Sequence, residues 1–156
     1  MRLVPGQGEV VRFHLSKKER DVFQAVLNAY PAIPAGHQRL SRTMSGEGAD
    51  ENQSLLDEAL AAQRAENQAR LRGFMDEPER WTQMKSGWRL NLKPGDAEWL
   101  LQVINNVRVG CWVRLGSPDF EAGEKVDWSE ETAPLIWLME CAGEFESVLL
   151  QAFGHD

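Results

Sequence analysis

The chain has 156 residues, 17 Lys plus Arg against 24 Asp plus Glu, a net charge of −7 and two cysteines. That length closes one hydrophobic core without disulfides or a structural metal, so a single domain over 1–156 in a reducing cytoplasm is expected. An acidic chain binds phosphate backbones poorly, no apolar run approaches the ~20 residues that span a bilayer, and the N-terminus lacks a secretory signal's apolar stretch, which sets aside nucleic acid, membrane and secretion.

Arg2–Val4 and Glu9–Leu15 flank the turn signal Pro5-Gly-Gln-Gly8, and Val11, Phe13 and Leu15 alternate with polar residues as in a half-buried strand. Ser16 with Glu19 matches a capping box, and the helix behind it carries Val22, Phe23, Val26, Leu27 and Tyr30 on one stripe until Pro31. The glycine-rich, polar stretch 35–52 reads as a mobile loop, with Leu40 and Met44 as possible anchors. A helix from about Glu51 to Met75 follows, polar over Gln63–Arg70, so its ends should pack better than its centre. Glu79–Met84 reads as a short helix carrying Trp81. The basic residues Arg64, Arg70, Arg72, Arg80, Lys85 and Arg89 alternate with acids and read as a solvated helix face. Trp88–Leu92 is a second strand that runs into a helix start at Lys93-Pro-Gly-Asp96, echoing the first strand and Ser16.

Two long helices close the chain, Asp96–Leu115 and Ser129–Phe153, joined by an acidic loop. Trp99, Val103, Val107 and Cys111, widened by Leu100, Ile104 and Val109, make the first of them central. Ile136, Leu138, Met139, Ala142, Phe145, Leu149 and Phe153 give the second a broad apolar arc. The predicted architecture is mainly α: an antiparallel bundle of four or five helices with two or three short strands at one end, all-helical in shorthand.

Chemistry-bearing patterns are few. His14, His37 and His155 fall in a strand, a loop and the tail with no zinc-like spacing, so no metal and no cofactor are expected. Cys111 and Cys141 read as free thiols. Glu140 and Glu144 share a helix face, half of a carboxylate-bridged metal site, but the complementary Glu-x-x-His is missing. No nucleophile elbow or phosphate-cradling loop occurs, so no catalytic residue is assigned. The segment Asn105-Asn106-Val-Arg108-Val-Gly110, with Arg114 beyond it, is unusual for a helix interior. One account is a polar network that fixes helix register, with Gly110 making room for Trp112 or Trp137. The other is a pocket in which Arg108 and Arg114 hold a small anion or a partner's carboxylate. Trp112 and Trp137 lie off the apolar stripes and are expected at the surface, where aromatic area marks protein contacts.

The run from Trp99 to Gly110, with Arg114-Leu-Gly116 and a Trp-rich final helix, resembles an uncharacterised family of small helical bacterial proteins often encoded beside the adaptor of the Clp protease. The likeness covers about Arg89–Phe153. Asn106 stands where that family usually has Asp, which removes a carboxylate from the surroundings of Arg108. The resemblance implies a link to regulated proteolysis and no established activity. The expectation is therefore a non-enzymatic cytoplasmic binding or regulatory module. Its partner would be another protein or a second copy, and its surface would include Asn105, Asn106, Arg108, Trp112, Arg114, Trp137 and Glu140. The alternative is a small-ligand or hydrolytic domain that uses Arg108, Arg114 and Glu140.

Overall fold

The structure is a computed structural model that describes residues 1–5, 8–34, 36–37 and 48–154; Leu40, Met44, His155 and most of the expected loop lie outside that description. In chain order the elements are β1 (Arg2–Val4), β2 (Val11–Leu15), α1 (Lys17–Asn28), α2 (Ala49–Phe74), β3 (Trp81–Met84), β4 (Gly87–Leu92), α3 (Pro94–Arg114) and α4 (Ala133–Leu150). Among the described residues, four helices and one antiparallel sheet correct the all-helical shorthand, and the sheet has four strands where two or three were expected. The extra strand is β3, read from sequence as a helix. Its partner β4 supplies a ladder that local propensity could not reveal, and Gly87 (φ +137°) makes the tight link where a Cβ would meet the Leu15 carbonyl oxygen at 2.2 Å.

The strand order is β1-β2-β4-β3, so the two strands that lead into helices, β2 and β4, pair at the centre with Phe13 opposite Leu90. Phe13, Leu15, Leu90, Leu92 and Trp81 point into the core, while Arg12, His14 and Arg89 alternate onto the other face. The capping box at Ser16 and Glu19 forms as the sequence predicts and starts α1, which buries Phe23, Val26 and Leu27. Phe23 meets Phe74, Trp81 and Phe145 in tilted or edge-on contacts, tying α1, α2, the sheet and α4 into one core.

Helix α3 is the axis of the molecule. Trp99, Leu100, Val103, Ile104, Val107, Gly110 and Cys111 are all buried, and α3 packs along α4 more extensively than any other two elements pack. Its start is held by Asp96, which accepts from the Lys93 N–H, from Arg80 at 2.8 Å and from Arg70 of α2. Its end turns at Gly116, whose N–H bonds the Val113 carbonyl while the Ser117 N–H reaches Trp112. The next helix begins later than expected. Ser129 and Thr132 exchange side-chain to backbone bonds in a preceding turn, regular helix starts at Ala133, and Phe153 lies exposed beyond its end.

Helix α2 departs from expectation in how it is held. It starts at Ala49, within the segment expected as loop. Its N-terminal half is largely exposed, Leu55 at 59%, and Phe74 anchors only the far end. The polar centre supplies the tethers. Asn67 donates to the Tyr30 hydroxyl (3.0 Å) and accepts from Trp99 Nε1 (2.9 Å), Arg64 donates to the Ile33 carbonyl (3.2 Å), and Arg70 stacks over Trp99 at 4.0 Å. The basic residues read as a solvated face are therefore partly structural.

Burial pushes the Asp96 carboxyl up, but the hydrogen bond and charge of Arg80, the bond from Arg70 and the Lys93 N–H outweigh it and hold it below the usual range. A carboxyl depressed in the folded state adds stability above its unfolded pKa, and that stability is lost as pH falls through the folded value. Asp96→Asn should thus lower stability at neutral pH in urea unfolding. The gap to wild type should close as pH drops from about 4; a gap that stays constant with pH would contradict the ion-pair account. At Gly110 a Cβ would lie 2.3 Å from the Ala32 carbonyl carbon and 2.5 Å from the Ile33 nitrogen. Backbone cannot yield as a side-chain tip does, so Gly110→Ala should cost about 3 kcal/mol, against a few tenths or a gain if the site were open.

Candidate functional site

The residues singled out in α3 divide between two faces. Asn106 and Gly110, one turn apart, receive the segment after α1. The Asn106 Oδ1 accepts from the Ala32 N–H (2.9 Å) and the Ile33 N–H (3.4 Å), and Gly110 lets that backbone lie against the helix. Asn106 is thus a structural dock for a strand of chain, and what Gly110 accommodates is Ala32 rather than Trp112 or Trp137.

The other face holds Asn105, Arg108 and Trp112. Arg108 donates through Nε to Glu146 (2.7 Å) and through Nη2 to Asn105 Oδ1 (2.8 Å). Gly143 on α4 lies beneath the Arg108 stem, and a Cβ there would stand 3.8 Å from its Cδ. Glu146 on α4 therefore supplies the carboxylate beside Arg108 that Asn106, an amide, does not. Arg108 is committed to that pair, and an anion would have to displace Glu146 to reach it.

Beside this pair a cleft of about 500 Å³ opens between α3 and α4. Arg108, Val109, Trp112, Met139, Glu140 and Glu144 form its walls, with Phe120 of the connecting loop at its edge. Trp112 is half-buried and fixed by its Nε1 bond to the Pro118 carbonyl (3.0 Å), which presents the ring to the cleft instead of burying it. Of the residues expected at a surface, Arg108, Trp112 and Glu140 meet here. Asn105 supports Arg108 from behind, whereas Arg114 and Trp137 are exposed outside the lining. Glu140 and Glu144 also border a second cleft, about 300 Å³, on the opposite flank of α4 with Glu19, Val22 and Cys141.

Sequence reasoning missed the aromatic loop. Trp128 is 72% exposed and Phe120 48%, both more than Trp137 at 44%. The usable signal was their setting: between Asp119 and Glu146 nine acidic side chains accompany one lysine, a balance of −8 against −7 for the whole chain. The remainder is close to neutral, so the net charge resides at the loop and α4. Apolar aromatics inside an acidic, solvated loop do not serve a core.

Among the described residues no group of three or more His, Cys, Asp or Glu side chains could hold a metal ion. Both thiols are free. Burial pushes the Cys111 thiol up despite Arg114, and burial, then Glu140 and Glu144, push Cys141 up, opposite to what a nucleophile needs. No described helix is long and apolar enough to cross a membrane. Comparison with known proteins adds no relative: no family model, no curated protein and no solved structure matches the chain.

Two residues that looked alike in sequence should separate by stability. The Arg108 side chain is 43% exposed and its pair with Glu146 partly hydrated, so Arg108→Ala should cost below about 1 kcal/mol. Asn106→Ala strands the Ala32 and Ile33 N–H groups and should cost about 1–3 kcal/mol. Urea denaturation of both variants checks the ranking, and the reverse order would contradict it.

Proposed function

We propose that this protein is a non-enzymatic, cytoplasmic protein-binding module whose docking surface is the α3–α4 cleft with the acidic loop beside it. Its partner presents a basic segment that carries apolar side chains. The observation that carries this reading is the coincidence of charge and exposed aromatic area. The chain's net negative charge gathers in the same stretch as Phe120, Trp128 and Trp137, next to a cleft walled by Trp112, Val109 and Met139. Aromatic anchors supply contact area and a π face for guanidinium, while the carboxylates steer a cationic partner and reject an anionic one. The reading of Arg108 and Arg114 as an anion or hydrolytic pocket is less supported, because Arg108 is already paired and Arg114 stands apart from the cleft. The link to regulated proteolysis that the resemblance implies serves here only as a place to look for the partner.

A labelled peptide alternating Arg and Leu tests the proposal, with a Glu–Leu peptide as control. The Arg–Leu peptide should bind in a salt-sensitive way and shift the tryptophan emission. Glu140→Lys/Glu144→Lys, two exposed positions whose reversal leaves the core intact, should weaken it by about tenfold or more. Equal binding of both peptides, or no effect of the reversal, would refute the assignment.

A further inference from the structure

The end of the molecule opposite the acidic loop has the reverse character. The four strands contain three arginines, one histidine and no acidic residue. Pairing sets Arg2 opposite His14 and His14 opposite Arg89, a row over three adjacent strands on the face turned away from the core, and Arg12 lies two residues along β2 on the same face. Strands stand about 4.8 Å apart, so the row spans roughly 10 Å. His14 Nε2 contacts Ser86 Oγ at 3.1 Å. Among the described residues no ion pair involves Arg2, Arg12 or Arg89, and Arg89 Nε is buried without a hydrogen-bond partner. Guanidinium donors held on a stiff sheet whose strands carry no carboxylate suit carboxylates, which Arg binds in a two-pronged fashion.

We propose that this sheet face is a second docking surface and that its occupant is the acidic α3–α4 loop of another copy of the chain, an inference that rests on reading that loop as a docking surface for basic partners. Three observations select this occupant. Charge complementarity is present within one sequence, since Glu121, Glu130 and Glu131 are exposed on the loop and make no ion pair among the described residues. Trp128 offers an open ring to an arginine from the same loop. Strand β4 leads into the start of α3, and the loop leaves its other end 21 residues later. Among the described residues no ion pair joins the row to the loop within one copy, and the contact between copies runs head to tail. Nucleic acid fits less well: the aromatic strand residues Phe13, Trp81 and Trp88 lie on the inner face, so bases find no stacking platform on the arginine face.

Sedimentation velocity on the full chain tests this with two variants, Arg12→Glu/Arg89→Glu for the sheet and Glu121→Lys/Glu130→Lys/Glu131→Lys for the loop. Arg12→Gln/Arg89→Gln serves as the milder sheet change, and circular dichroism establishes that each variant is folded. The wild type should gain mass with concentration at low salt and return to monomer at high salt. Each variant alone should be monomeric. An equimolar mixture of the sheet and loop variants should regain assembly, because every face of one variant then meets a face of opposite charge on the other. A wild type monomeric at every concentration, a sheet variant that assembles as before, or a mixture that stays monomeric would overturn the inference. Retained Arg–Leu peptide binding by a monomeric wild type would leave the cleft reading standing while this one fell. A single-stranded oligonucleotide that binds the wild type and not the sheet variant would assign the face to phosphates and overturn it as well.

Discussion

The docking of residues 32–33 against Asn106 and Gly110 is the contact on which the other arrangements depend. The backbone after α1 must run against a helix interior, and only a position without a Cβ allows it so close. Two N–H groups would go unpaired there, and one amide oxygen accepts both. That single fit fixes the rotation of α3 about its own axis. With Asn106 and Gly110 committed to one side, Arg108, Val109 and Trp112 turn toward α4 and the cleft. A polar pair and a glycine in mid-helix cost helix propensity, and the tertiary contact recovers it.

The same helix separates the molecule's charge. At its N-terminal end Asp96 gathers two arginines and ties α2 to the sheet. At its C-terminal end the chain enters a loop that holds most of the acidic excess. Among the described residues the arginines of the sheet's outer face make no ion pair, and the loop carries a single lysine among its acids. Such segregation does nothing for the core, which contains no charged residue among the described residues. It contributes at the surface, where it orients encounter with charged partners.

Much of the fold was legible in the sequence because its signals are local. The Ser16–Glu19 capping box, the alternation of Val11, Phe13 and Leu15, the Pro94 helix start and the four-residue spacing from Trp99 to Cys111 each predict an element that forms. Pairing was not legible. Trp81–Met84 has no period of its own, and it becomes a strand because β4 lies beside it. The centre of α2 looked weak because polar residues there imply solvent, whereas Arg64, Asn67 and Arg70 reach across to Ile33, Tyr30, Trp99 and Asp96, contacts that span many residues. In the candidate site, Arg108 with Asn105 was readable from a spacing of three along a helix. Glu146 was not, because that pair requires the antiparallel register of α3 and α4. Phe120 and Trp128 were passed over because they sit in a loop, where aromatic residues carry no periodicity to notice.

The measurement that bears most directly on the docking surface is amide chemical-shift mapping by NMR during titration with the Arg–Leu peptide. Perturbations confined to the α3–α4 cleft, residues 108–112 and 139–147, and to the loop around Phe120 and Trp128 are the expected result. Shifts centred on the sheet or spread evenly over the surface would contradict the account.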